Sequence, residues 1–182
     1  MKSILSLIMA AMLFPGLALA QTRRIDKTPV KDFDLYKYLG MWYEIARFDH
    51  KFERDMVNVT AEYVLREDGK VAVVNSGWRD GKFKMAAGIA KQPNPMGNPA
   101  HLRVSFFLFF YSDYNILMLA DNYNVALVGS GSSDYLWILS RTPVVSDEIL
   151  IKVIDEAKRR GYNTSRLIWV DQGATTMRNS RK

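Results

Sequence analysis

The chain has 182 residues, 25 Lys and Arg against 19 Asp and Glu, and 48% hydrophobic residues. That apolar content excludes a disordered chain, and the length suits one domain with its own core. The absence of cysteine excludes a disulfide framework, a thiolate nucleophile, a Cys-ligated zinc and a thioether-linked lipid, and two histidines, His50 and His101, leave little room for a His-rich metal site.

Residues 1–20 read as a removable leader. Met1-Lys2-Ser3 is a short positive start, Ile4 to Phe14 is an apolar run, and Ala18-Leu19-Ala20 before Gln21 is a small-residue cleavage site. Pro15 and Gly16 interrupt the run before it reaches the roughly 20 residues that span a bilayer. The expected product is exported, periplasmic or secreted. With Gln21 where a lipid-bearing Cys would stand, it is expected not to be lipid-anchored. Residues 21–34 form an N-terminal extension.

From Trp42 onward the dominant period is two. Val57, Val59, Ala61, Tyr63 and Leu65 alternate with more polar positions, Glu67-Asp68-Gly69 turns the chain, and Val71, Val73 and Asn75 continue it to a second Asp-Gly turn at Arg79-Asp80-Gly81. Phe83 to Lys91 is a fourth strand whose inward parity stays open. After the Pro-rich loop come Leu102, Val104 and Phe106, then strands at Tyr114 to Leu119, Tyr123 to Val128 and Tyr135 to Ser140. Short turns between eight short strands imply antiparallel neighbours in chain order. Closing the first strand onto the last removes both exposed edges. One helix follows, with Ser146 as N-cap, Asp147 and Glu148 in its first turn, and Leu150, Val153, Ile154 and Ala157 as one apolar stripe. Lys158-Arg159-Arg160 and Gly161 end it. A single stripe predicts packing on the outside of the barrel. Leu167 to Val170 is a short ninth strand. The expected fold is all-β, an eight-stranded antiparallel up-and-down barrel over residues 35–171, with a poorly ordered basic tail at 172–182.

Gly40-Met41-Trp42-Tyr43-Glu44 resembles the opening motif of the lipocalins. Ala46 to Arg54, Val104-Ser105-Phe106-Phe107 and Asp134 to Pro143 resemble the bacterial lipocalins related to apolipoprotein D, in the same order. The resemblance runs from about Leu35 to Val170. It implies a structural role for Gly40, Trp42, Tyr123 and Arg141 at the closed end, with the Arg141 guanidinium laid across the Trp42 indole. Ala120 stands where the family's middle motif has an aspartate.

Sending Trp42 inward at an unbroken period of two sends Glu44, Ala46 and Phe48 inward as well. With Val59, Tyr63, Asn75, Val104, Phe106, Tyr114, Tyr135 and Trp137 they make an apolar and aromatic lining suited to a hydrophobic small molecule. The same residues would also serve a solid core; the small Ala46, Ala61 and Gly77 argue for empty volume. Glu44 is either a hydrogen-bonded structural carboxylate or a catalytic or ligand-anchoring group. The loops 49–56, 79–81, 108–113 and 129–134 share one opening. Arg47, Lys51, Arg54 and Arg79 bring positive charge there for an anionic head, and Leu108 to Tyr111 form an apolar rim. No catalytic motif is present: Gly129-Ser130-Gly131-Ser132 lacks the strand-to-helix setting of a nucleophile elbow.

The expectation is a carrier of one hydrophobic small molecule, with no cofactor and no metal; the resemblance implies a fatty acid or lysophospholipid. Export argues against nucleic acid despite the net charge of +6. Two alternatives stay open: an isomerase or hydrolase using Glu44 with a Tyr, and a peripheral membrane contact through the Phe109-Phe110 rim. Monomer and dimer are both compatible with the sequence.

Overall fold

The structure is a computed structural model and describes residues 24–173; the leader at 1–20 and the tail from 174 lie outside the described residues. A short helix α1 (Leu35–Tyr38) is capped by Asp34, whose carboxylate accepts from the Tyr36 amide. It leads into β1 (Gly40–Phe48), β2 (Val57–Leu65), β3 (Val71–Arg79), β4 (Lys82–Lys91), β5 (His101–Ser105), β6 (Ser112–Leu119), β7 (Val125–Ser130) and β8 (Leu136–Ser140). Helix α2 (Asp147–Arg159) and the strand β9 (Leu167–Trp169) follow.

Each of the eight strands pairs antiparallel with the next, and β1 pairs with both β2 and β8, so the sheet closes as expected. The β3–β4 turn shows how sequence sets register. Arg79 pairs with Lys82 across Asp80 and Gly81, both at positive φ, which is the two-residue geometry whose twist matches the strands. β1 forks: Gly40 to Tyr43 pair with β2, whereas Ala46 to Phe48 pair with β9. The chain after β9 fills the fork. Asn58 donates its amide to the Asp171 carbonyl, and the Gln172 amide donates to the carbonyls of Glu44 and Val59. Gln172, at the head of the segment expected to be tail, is thus held between two strands.

α2 lies outside the barrel as its stripe predicts. Val153 and Ala157 are fully buried against Leu117, Leu127 and Ile138. Ser146 makes no side-chain cap bond. Arg160 at the end of the helix donates to the carbonyls of Thr28 and Leu117, tying the N-terminal extension and β6 to α2. Tyr123 sits in the turn before β7 at φ 57° and is not a strand residue. Its hydroxyl accepts the Asp34 amide at 2.8 Å, and the turn closes through Tyr123 N–H to the Ala120 carbonyl without an aspartate at 120.

The closed end is built on Arg141. Its guanidinium carbon lies 3.9 Å from the centre of the Trp42 ring, and its N–H groups donate to the carbonyls of Lys37, Tyr38, Leu39 and Met41. The Trp42 indole donates to the Tyr38 carbonyl at 2.8 Å. Gly40 enters the strand at φ 93°, a conformation that favours glycine.

Candidate functional site

Inside the barrel lies a cavity of about 540 Å³, and beside it a second of about 490 Å³ that shares Phe52, Glu53, Val59, Asn75 and Phe106 with the first. Both volumes fall in the range of small-molecule sites. The inner walls are Ala61, Tyr63, Val73, Val104 and Leu139; the outer ones are Phe52, Phe107, Phe110, Tyr111 and Tyr135. The parity of β4 is now fixed: Ala86 and Gly88 stand opposite Asn75 and Val73, so small residues face inward there. A Cβ at Gly88 would come within 2.8 Å of the Phe106 ring, so the glycine is what lets that ring lie across β4.

Of the lining expected from sequence, Val59, Tyr63, Asn75, Val104, Phe106, Tyr114, Tyr135 and Trp137 face the cavity. Ala46 and Phe48 do not, and the reason is a β-bulge. Glu44 pairs with Leu139 but Ala46 with Ile138, so Ile45 is an extra residue and the parity of β1 inverts after it. Ile45 and Ala46 turn outward under α2, and Phe48 packs there on Tyr162, with the Arg166 guanidinium 4.6 Å from its ring centre. Gly77 makes no free volume either, because Met56 and Val59 already occupy the space over it.

The same bulge sends Arg47 inward, beside Trp137. Expected at the mouth, Arg47 is instead 2% exposed, and it donates to Glu44 Oε1 at 2.8 Å and to the Glu53 carbonyl. Glu53 lies within 3.0 Å of His50 Nε2 and accepts from the Trp137 indole at 3.2 Å. His50 in turn stacks on Phe52 at 3.9 Å. Arg47 thus holds the Glu44 carboxyl and the Glu53 backbone, with the Glu53 carboxyl nearby, all in a buried site. Burial first, then the Glu53 charge, pushes Glu44 well above its ordinary 4.5. Burial also opposes ionisation of Glu53, but His50, Trp137 and Arg47 together outweigh it and hold that carboxyl below the ordinary value.

A carboxyl raised in the folded state gives stability that is complete below its unfolded value and is lost as pH rises toward the folded one. Wild type compared with Glu44→Gln is therefore expected to lose stability steadily as pH rises above about 5, read as urea midpoints between about pH 5 and 9. Parallel curves for the two proteins would show that Glu44 does not titrate there.

At the mouth, Lys51 is exposed, Arg54 forms an ion pair with Asp49, and Arg79 donates to the Phe52 carbonyl while lining the second cavity with Lys84. Phe107, Leu108, Phe109 and Phe110 stand exposed around the opening, Phe109 most of all at 89%. The sequence does not mark Phe52, Glu53 and Lys84 as lining residues: the first two lie in a loop with no period to read, and Lys84 lies in β4, whose parity the sequence leaves open.

A closed antiparallel barrel with one helix outside and a greasy cavity open at one end defines a small-molecule-binding barrel. The chain belongs to the lipocalin family: the family model described as a lipocalin-like domain matches residues 33–172. The outer membrane lipoprotein Blc of Vibrio cholerae is 48% identical over 147 residues, 79% of this chain and 85% of that protein. Bovine apolipoprotein D is 32% identical over 169 residues, 86% and 88% of the two chains. The crystal structure of lobster apocrustacyanin A1 superposes with a TM-score of 0.63 at 25% identity, covering 77% of this chain and 80% of that one. One expectation is corrected by these findings. An exported protein without a lipid anchor was inferred from the missing cysteine, whereas the Vibrio relative is by name an outer membrane lipoprotein. The lack of a thiol speaks to one attachment chemistry and does not establish where the protein resides.

Proposed function

We propose that the protein binds and carries one fatty acid or lysophospholipid at the outer membrane, its chain in the barrel and its head at the mouth. The observation that carries this reading is the mainly apolar and aromatic lining from Val73 and Leu139 to Phe106 and Phe110. A sixteen-carbon chain buried at ~0.8 kcal/mol per methylene gains roughly 13 kcal/mol gross. Set against an association cost of ~4–15 kcal/mol, this supports reversible binding. With Arg47 and Arg54 engaged, the head group falls to Arg79, Lys84 and Lys51.

The enzymatic alternative needs Glu44 free to move a proton. Its carboxyl is instead buried and bound by Arg47, which favours a structural role. Trp137→Ala tests the carrier reading, using a fluorescent fatty acid as probe. Affinity is expected to fall about tenfold or more, given ~1.5–3 kcal/mol for a buried large side chain. Trp137→Phe should retain most of it, and unchanged affinity in Trp137→Ala would take this wall out of the binding site.

A further inference from the structure

Three tyrosines meet at the inner end of the cavity. Tyr38 from α1 and Tyr63 from β2 each bring a hydroxyl to that of Tyr114 on β6, at 2.6 and 2.8 Å. Each phenol carries one proton and can donate once. Two contacts use two of the three protons, so the third must point elsewhere. Among the described residues, neither the Tyr38 nor the Tyr63 hydroxyl has a second hydrogen-bond partner.

The position of the spare proton depends on the order of donation. Were Tyr63 to donate to Tyr114 and Tyr114 to Tyr38, the spare proton would lie on Tyr38, which is fully buried among Phe33, Trp42 and Tyr63. It would meet no acceptor there, and a buried donor without a partner is the costly case. In the opposite order the spare proton lies on Tyr63, which faces the cavity, whereas Tyr38 does not. Were Tyr38 and Tyr63 both to donate to Tyr114, the spare proton would lie on Tyr114, which also lines the cavity. The order from Tyr38 through Tyr114 to Tyr63 is favoured over this because there each bond polarises the next, whereas a doubly accepting Tyr114 gains no such strengthening.

A second unpaired group lies on the same wall. Tyr63 stands opposite Val73, and Asn75 stands opposite Ala61, one inward step nearer the mouth. The buried Asn75 Oδ1 has no partner among the described residues. A plain hydrocarbon would leave both groups unmatched; a ketone oxygen can accept from Tyr63 but cannot pair with Asn75 Oδ1, itself an acceptor, whereas a hydroxyl can serve both. An anion is disfavoured, because Glu53 lines this cavity and Arg47 is held by the Glu44 carboxyl and the Glu53 carbonyl. Arg103, which also lines it, is engaged by Asp113 and the Tyr111 carbonyl.

We propose that the Tyr63 hydroxyl donates to an uncharged oxygen, a ketone or hydroxyl, on the inner part of the ligand's chain, so that the preferred ligands are oxygenated acyl chains. This rests on the carrier reading above. The test is calorimetric titration of the whole protein with saturated C12 to C18 fatty acids and their ω−1 oxo analogues, in wild type and Tyr63→Phe. At the best chain length the oxo acid is expected to bind wild type at least as tightly as the plain acid. Tyr63→Phe, which keeps the ring, should lower the ratio of oxo-acid to plain-acid affinity about tenfold, whatever it does to the plain acid itself. Equal effects on both acids, or none, would overturn the proposal while leaving the carrier reading in place. Failure of every acid to bind wild type would overturn the carrier reading itself.

Discussion

Arg47→Leu is expected to lower stability by about 3–5 kcal/mol, as measured by urea denaturation at neutral pH. The arginine is buried, joins Glu44 to the Glu53 backbone, and is the cation within reach of both carboxyls. Removing it leaves Glu53 charged in a buried site with His50 and the Trp137 indole as its partners. Two further measurements separate this cause from lost packing. At pH about 5 the penalty should shrink, because loss of the cation raises both carboxyl pKa values and protonation then relieves the charge. Arg47→Leu combined with Glu44→Leu should recover part of the loss, since a buried ion pair replaced by apolar groups of similar size is often close to neutral. A penalty independent of pH would assign the effect to the lost side-chain volume of Arg47 instead.

This cluster also marks where the sequence stops being readable. The alternation in β2 and β3 and the Asp80-Gly81 turn locate strands and register directly, because one barrel face is solvated and the other is not. β1 lacks that contrast. Its outer face after Ile45 is apolar because it lies under α2, while the inner face carries the buried Glu44 and Arg47, so polarity points the wrong way. An unbroken period of two then sends Ala46 and Phe48 into the cavity and Arg47 out of it, and one inserted residue reverses all three. Phe52 and Glu53 escape for a different reason. They belong to a loop whose inward fold depends on His50, Arg47 and Trp137, contacts between β1, that loop and β8. Trp42 and Arg141, by contrast, are legible as a pair because each stands in its own short motif and the family resemblance implies their contact.

Arg141→Ala is expected to cost about 3 kcal/mol or more and to open the floor of the cavity. The carbonyls of Lys37, Tyr38 and Leu39 end α1 and have no helical partners beyond it, and Arg141 supplies their donors from β8. It adds a bond to Met41 and a charge over the Trp42 ring, so a single side chain fastens α1, the start of β1 and the indole together. Each bond from a charged donor is worth ~1.5–3 kcal/mol when a partner is lost, less where solvent can replace it. The damage should be local first. Amides of Tyr38 and Leu39, which donate to Asp34 and Leu35, are expected to lose hydrogen-exchange protection well before those of β7. Arg141→Lys keeps the charge but not the planar fork that reaches several carbonyls at once, and should restore less than half of the stability. Since α1 carries Tyr38, the same substitution should also weaken the oxo acid more than the plain one, for freeing the helix removes the fixed hydroxyl that orders Tyr114 and Tyr63. Uniform loss of protection across the barrel would show that Arg141 supports the whole sheet and not its closed end.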